Sequence, residues 1–279
     1  MFFRPKLKIG ETFTNEDITN IFKCKNYGGM RRSLKTNSLV LISDHTKPFY
    51  GDCWLNGILH FAGIGLKGDQ SLEHFPNSVL YESSRRRIIL YLFEVFEKGK
   101  YIFTGNVTLE GDPYHRLRPD INGDLRKVWI FPLKPLKTAY KPKITQEMIK
   151  KSREIIERKI SRLDDDKLEV MAKYSDGKMY ETGVLEKGFE KNPFVREFVL
   201  RRAGERCELC GMKSPFEVKG RPYLEIYHIK KFRDGGRDVI ENEVALCPNC
   251  IKKMQILNLP ADKKKLIEKA SIKLSIDMD

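Results

Sequence analysis

Long apolar runs are missing from this chain. No stretch of about 18 apolar residues occurs, so no membrane-spanning helix is expected. The start, Met1-Phe2-Phe3-Arg4-Pro5, has no signal-peptide apolar core, and a cytoplasmic location is the expectation. Neither internal repeats nor low-complexity tracts occur, which excludes repeat arrays. Cysteine is sparse, with six in 279 residues. In a reducing compartment that number argues for metal binding or free thiols rather than disulfides. Cys24 and Cys53 stand alone and read as buried or incidental thiols, whereas the other four fall into two pairs.

Against these absences stands a basic, ordinary globular composition. Apolar residues make up 41%, which suits packed cores, and the length allows two of them. The net charge of +14 favours polyanionic partners, nucleic acid or an anionic membrane surface, and of these DNA is the expected partner and no membrane.

Residues 1–137 read as mostly β. Residues 37–43, 58–63, 87–96, 100–110 and 127–133 are rich in Val, Ile, Leu, Phe and Tyr. Tyr101, Phe103, Val107 and Leu109 share one face at period two. Turn signals separate the runs at Tyr27-Gly28-Gly29, Asn56-Gly57, Lys98-Gly99 and Asn122-Gly123. Many short strands with Gly-rich turns predict a small barrel or sandwich. Residues 138–190 read as a helical linker: a helix from Thr145 to Leu163, ended by Asp164-Asp165-Asp166, then a polar segment. The helix carries a narrow apolar stripe of Ile149, Ile156, Ile160 and Leu163, which suits a strut or a homodimer contact. Asn192-Pro193 opens another helix, which Gly204 closes.

The last part, residues 191–279, carries the most specific signal. Cys207-Glu-Leu-Cys210 and Cys247-Pro-Asn-Cys250 form two knuckles whose thiolates complete a tetrahedral structural Zn²⁺ site. The loop between them is longer than in a simple zinc ribbon. It holds a strand, Tyr223-Leu-Glu-Ile-Tyr-His228-Ile, then a sharp turn, Asp234-Gly235-Gly236-Arg-Asp238. Asn242-Glu-Val-Ala-Leu leads into the second knuckle, with a helix from about Cys250. This strand, strand, helix order with those residues resembles the HNH (ββα-metal) endonucleases, and among them the McrA-type, modification-dependent restriction enzymes. The resemblance implies an α+β protein with a zinc-bound HNH domain that hydrolyses DNA phosphodiesters. His228 matches the general base that activates water, and Asn242 matches the Asn that braces the loop and the base. It also implies a catalytic divalent metal, Mg²⁺, Mn²⁺, Co²⁺ or Ni²⁺, separate from the zinc. Three positions depart from the family. Tyr227 stands where a ligating His or Asp is usual, Ile251 replaces a His that is a ligand or phosphate contact, and Gln255 replaces a further His. Three readings follow. Glu225, Asp234, Asp238 or Asn249 supplies the missing ligand, or the nuclease is attenuated, or the module only binds modified DNA.

The first domain has its own resemblance. In it, aromatic residues interleave with Asp, Gln and Arg between strands, as in a pocket that stacks a flat ligand. The stretch from Phe13 to Leu133 resembles the SRA-like (PUA-superfamily) β-barrel domains fused to HNH modules. Such domains flip a modified cytosine out of double-stranded DNA. That implies Tyr27, Tyr50 and Trp54 as stacking candidates, Asp52 and Asp69 as acceptors for the cytosine exocyclic amine, and Gln70 to fill the gap or read the base edge. Arg31, Arg32, Arg85, Arg86 and Arg87 become candidate phosphate contacts.

Overall fold

The computed structural model describes residues 3–47, 52–120, 122–136, 145–174, 180–181, 189–190 and 192–271. The chain divides into two compact units, Met1–Lys159 with Tyr180–Glu190, and Ile160–Met179 with Lys191–Asp279. Among the described residues no helix is long and apolar enough to cross a membrane.

The first unit is built on one mixed sheet. Its elements are β1 (Thr12–Phe13), α1 (Asn15–Phe22), β2 (Met30–Ser33), β3 (Ser38–Asp44), β4 (Cys53–Leu55), β5 (Ile58–Ala62), α2 (Asn77–Tyr81), β6 (Ile89–Glu97), β7 (Lys100–Leu109), β8 (Tyr114–Pro119), β9 (Leu125–Pro135), α3 (Gln146–Ile160), β10 (Tyr180–Glu181) and β11 (Phe189–Glu190). The strand order is β11-β10-β4-β5-β9-β7-β6-β3-β2, with β1 added on β7 and β8 on β9. No pairing of β2 with β11 is described, so the expected barrel is an open path of strands among the described residues. β3 and β6 run parallel at its heart, and both are buried nearly throughout. Period-two alternation splits their side chains between two cores. Leu39, Leu41, Leu90 and Leu92 join Leu59, Phe61, Leu80, Phe131 and Leu133 in one. Val40, Ile42, Tyr91 and Phe93 join Ile18, Phe22 and Phe103 in the other.

Local chemistry explains the edges of these elements. Asn56 and Gly57 both take positive φ, 52° and 74°, as the two-residue turn joining β4 to β5 requires. α1 was not foreseen from the sequence. Thr14 and Asp17 form a capping box, with the Asp17 N–H donating to Thr14 Oγ1 at 3.1 Å and the Thr14 N–H to Asp17 Oδ2 at 2.8 Å. The stripe on α3 is partly used inside the chain, because Ile149 and Met148 pack on Phe96 and Ile102.

The second unit holds α4 (Asp165–Lys173), α5 (Pro193–Ala203), β12 (Glu217–Val218), β13 (Arg221–Pro222), β14 (Glu225–His228), β15 (Glu243–Leu246), α6 (Pro248–Ile256) and α7 (Pro260–Ala270). Within residues 138–190, expected as a helical linker, the structure describes a second helix. Asp164 does not end a helix but caps α4, accepting the Lys167 N–H at 2.8 Å, and Leu168, Met171 and Ala172 are buried. The acids that stop one helix suit equally the N-terminus of the next. β10, from the same span, pairs with β4 in the first unit and carries β11 on its other edge. α5 begins as predicted, with Asn192 Oδ1 accepting the Phe194 N–H at 2.9 Å. β14 and β15 pair antiparallel, with Tyr227 opposite Val244 and His228 opposite Glu243. α6 starts at Pro248, two residues before the expected start.

Candidate functional site

Two knuckles bring four sulfurs together in the second unit. Gly211, at φ 74°, turns the chain so that its N–H reaches Cys207 O at 2.8 Å, and the Cys207 N–H reaches Met212 O at 2.9 Å. Cys247 caps α6, with Pro248 in the first turn. The Sγ atoms of Cys207, Cys210, Cys247 and Cys250 all lie within 4.8 Å of one another, and none is in a disulfide. Burial and the crowding of neighbouring thiols push the Cys250 thiol above its ordinary value, so a sulfur cage without a cation is costly to ionise. This donor set fits a tetrahedral zinc ion. Glu208, inside the first knuckle, is buried. It accepts the Ala245 N–H at 2.7 Å and faces Arg202 Nε at 2.9 Å, which ties the knuckle to β15 and α5.

The loop between β14 and β15 is closed by Asn242 and Gly236. Asn242 Oδ1 accepts the Lys230 N–H at 2.8 Å, while its Nδ2 donates to Lys230 O at 3.0 Å and Arg237 O at 2.8 Å. A Cβ on Gly236 would stand 1.9 Å from Lys230 O, so the close approach of the two backbone segments excludes any side chain there. These three bonds tie the two ends of the loop together through one side chain.

His228 sits at the end of β14 with 10% of its side chain exposed. Its Nε2 lies 2.7 Å from Oε1 of Glu243, which is 1% exposed. Asp238 completes the cluster. It is fully buried, its Oδ2 accepts the Asn192 N–H at 2.6 Å, and the donor atoms of all three residues lie within 4.8 Å of one another. Burial first, and then the adjacent Glu243, push the Asp238 carboxyl up to about 8. The sequence reading missed Glu243, although a lone acid in an apolar run next to a zinc knuckle was the available signal. Tyr227 and Ile251 are buried, and burial raises the Tyr227 phenol further above neutral. A phenol and an alkyl chain do not fit a catalytic cation, so the usual pair of ligand positions is closed to one. Of the proposed substitutes, Asp234 and Asn249 are exposed, Glu225 accepts from the Tyr223 hydroxyl at 3.3 Å, and only Asp238 meets His228.

The structure distributes the residues expected to form a base pocket. Tyr50 lies outside the described residues. Trp54 is packed in the core and donates its Nε1–H to Glu94 at 2.9 Å, so its faces are not open for stacking. Gln70 is buried, donating to Gly63 O at 2.7 Å and accepting the Trp129 N–H at 2.9 Å. Asp69 accepts the Lys127 N–H at 2.6 Å. These two clamp the loop after β5 to β9. Tyr27 is 64% exposed, with Lys25 Nζ 5.4 Å from its ring. Asp52 accepts the Ala62 N–H at 2.7 Å, and burial raises its carboxyl to about 6 despite that bond. Nearby Glu94, unforeseen because it interrupts an apolar strand, gathers His45 Nε2, Trp54 Nε1 and Thr104 Oγ1, each at 2.9 Å.

The arginines divide in the same way. Arg31 is buried, donating to Gly28 O at 3.0 Å and Asn15 Oδ1 at 2.7 Å, with its guanidinium over Tyr101. Arg32 holds Ser38 O and Asn37 Oδ1. Arg85, Arg86 and Arg87 are exposed after α2; Arg85 and Arg86 pair with Glu82, and Arg87 turns the chain at φ 52°. The first two arginines therefore serve the fold, and the last three remain on the surface.

The comparisons with known proteins divide along the same lines. Residues 9–154, more than half of the chain, match the ScoMcrA-like SRA domain family, and residues 207–253 match the HNH endonuclease family. The type IV methyl-directed restriction enzyme EcoKMcrA of Escherichia coli (strain K12) is 39% identical over 85 residues, which is 30% of this chain and 30% of that protein. The solved structure of the type IV phosphorothioation-dependent restriction endonuclease ScoMcrA aligns with a TM-score of 0.48 at 22% identity, covering 96% of this chain and 55% of that one. The modification-dependent TagI restriction endonuclease aligns at 0.37 and 17%, covering 90% and 79%. This chain thus spans about a third to half of the first two relatives. With the SRA profile over its first unit and the HNH profile over the knuckles and the strand pair, the chain belongs to the ScoMcrA-like SRA-domain family and carries an HNH endonuclease domain.

Proposed function

We propose that this protein is a modification-dependent DNA endonuclease. The first unit reads a modified base, and the second hydrolyses a nearby phosphodiester. The observation that carries this reading is the combination of an SRA domain and an HNH domain in one basic chain, with four cysteine sulfurs gathered as a zinc site would need; His228 and Asn242 are the residues proposed for its chemistry. Base recognition would proceed by flipping a modified cytosine out of the duplex. Asp52, whose carboxyl burial raises to about 6, is the candidate to meet the base edge, and of the three stacking candidates Tyr27 is the one that is described and exposed. Arg85, Arg86 and Arg87 are free enough of the core to meet phosphates. His228 would take the proton from the attacking water; a divalent ion, for which Asp238 and Glu243 are the carboxylates nearest His228, would supply positive charge to the phosphate. Two HNH sites would be needed to cut both strands, which a homodimer would supply.

A second reading rests on Tyr227 and Ile251, which fill two usual ligand positions with buried, poorly ligating groups. On it the protein binds modified DNA and cuts weakly or not at all. One screen separates the two. Binding and cleavage are measured on unmodified, 5-methyl-, 5-hydroxymethyl-, glucosylated-cytosine and phosphorothioated DNA, with Mg²⁺, Mn²⁺, Co²⁺ and Ni²⁺. Cleavage of one modified substrate, lost in His228→Ala, supports the endonuclease. Modification-selective binding without cleavage, and cleavage gained in Tyr227→His with Ile251→His, supports the binding module.

A further inference from the structure

We infer that the first unit carries a second DNA contact, a basic cluster on the turns before β3 and β6 that grips duplex phosphates whatever the base, at the opposite end of β3 from the base-reading candidates. It deepens the phosphate role proposed for Arg85, Arg86 and Arg87. Its partner, duplex DNA, is taken from the endonuclease reading; its place and its indifference to the base come from geometry.

Parallel pairing places the two turns side by side. Ser38 opens β3 opposite Ile89, which opens β6, so the turn after β2 and the turn after α2 meet at one end. Asn37 joins them: its Nδ2 donates to Arg87 O at 3.2 Å, and its O accepts the Ile89 N–H at 3.3 Å. Arg32 Nη2 donates to Asn37 Oδ1 at 2.7 Å. Thr36 Oγ1 donates to Phe22 O at 3.2 Å, which brings Lys23, just past α1, to the same end. Lys23, Lys35, Arg85, Arg86 and Arg87 are exposed there, with Arg32 half-buried behind them. Arg85 and Arg86 share one carboxylate, Glu82, at 2.6 and 2.5 Å. Burial, and then the charge of Arg86, hold the Arg32 guanidinium below its ordinary value, as cations crowded on cations must be. Protein surfaces usually intersperse charges of both signs, so this gathering leaves a positive field that a polyanion relieves.

The base-reading candidates stand at the other end of the strand. The Ile42 N–H donates to Gly29 O at 2.8 Å, so the chain from Tyr27 enters β2 beside the far end of β3. Asp52 interacts with Ser43 and His45, at and just after that end. From Ser38 to Ser43 the strand covers roughly 17 Å, at about 3.3 Å per residue. Base pairs rise about 3.4 Å each, so that distance equals about five of them. The phosphates met by the cluster are therefore not those flanking a base held at Asp52. Guanidinium forks match phosphate oxygens, and contacts to phosphates carry no base information. The cluster thus adds affinity to any duplex and leaves the choice of modification to the other end.

The test uses the full zinc-loaded chain and fluorescence anisotropy over a range of KCl. The probes are unmodified, 5-methylcytosine and phosphorothioated duplexes of one sequence, about two helical turns long, and single-stranded RNA of the same sequence. Arg85→Gln with Arg86→Gln should weaken binding to all three duplexes by the same factor, roughly tenfold, and lower the slope of log affinity against log salt by about two. Arg85→Lys with Arg86→Lys keeps the charge and should keep the slope. Glu82→Gln releases both guanidinium groups and should tighten binding to every duplex, an effect that a merely structural ion pair would not give. Circular dichroism confirms that each variant is folded. Unchanged affinity and slope in the Gln pair would overturn the inference. So would a loss confined to one modified duplex, which would place the cluster at the base-reading site, or a loss confined to the RNA. If wild type prefers no modification and cuts none of the duplexes, the endonuclease reading fails, and the unmodified duplex still decides this one.

Discussion

Glu94 is the most consequential polar side chain in the first unit, and changing it to Gln has a calculable result. It is 2% exposed on a strand of apolar neighbours. Oε1 accepts from His45 and Trp54, and Oε2 accepts from Thr104. Burial alone would raise its carboxyl; the bond and charge of His45, with the bonds of Trp54 and Thr104, outweigh it and hold the carboxyl below its ordinary value. Glu94→Gln keeps the shape and the oxygen facing His45 and Trp54. It removes the charge and sets an NH₂ against a hydroxyl that can rotate to accept. Hydrogen bonds to a charged group contribute roughly 1.5–3 kcal/mol each, against about 0.5–1.5 for neutral ones. Downgrading two or three of them should cost about 2–3 kcal/mol. Glu94→Ala orphans all three donors and opens a void, and should cost about 3–5 kcal/mol. Both tryptophans, Trp54 and Trp129, belong to this unit, so urea unfolding followed by tryptophan fluorescence reads it selectively. The pH dependence has a defined sign. A depressed carboxyl contributes stability above its unfolded value, near pH 4.5, and loses it as pH falls through the folded value. The gap between wild type and Glu94→Gln should therefore be full at pH 7 and shrink below about pH 4.5. A Gln variant within 0.5 kcal/mol of wild type at pH 7, roughly the scatter of an ordinary surface change, would refute the charged hub.

Three further predictions concern the second unit. Chelating the zinc, or Cys247→Ser, should unfold residues 192–271 by hydrogen exchange while tryptophan fluorescence of the first unit stays native, with one zinc released per chain. Gly236→Ala should weaken the unit by about 1–3 kcal/mol, read as urea-induced zinc release, because backbone rather than a flexible side chain meets the new methyl. Asp238 has a raised carboxyl, so its contribution is full below about pH 4 and is lost as pH rises through about 8. Asp238→Asn keeps an acceptor for the Asn192 N–H and a donor for Glu243, and should flatten that alkaline decline; an unchanged slope of zinc-release midpoint against pH would contradict it.

Much of the second unit was legible because its signals are local. Two residues between cysteines, Asn192-Pro193, and Gly235-Gly236 each encode a short backbone geometry that needs no distant partner. Asn242 carried its bracing role in its place before the second knuckle. In the first unit the apolar runs located β3, β5, β6, β7 and β9, since a strand buried on both faces is a continuous hydrophobic stretch. Short elements escaped. α1 and α4 rest on one or two capping residues and a few buried contacts, and β10 is a strand through its pairing with β4 and β11.

The sequence by itself determined the chemistry of the knuckles, the turn at Gly236 and the apolar cores, because these depend on residue type and spacing. Only the tertiary structure decided which polar residues serve the fold. Trp54 and Gln70 look like pocket residues in the chain, yet their donors are satisfied inside it, and Arg31 is buried on Asn15. Conversely, Glu94, Asp238 and Glu243 carry no motif. Their importance comes from being taken out of water beside partners far along the chain, and desolvation is a property of three-dimensional packing that no sequence pattern records.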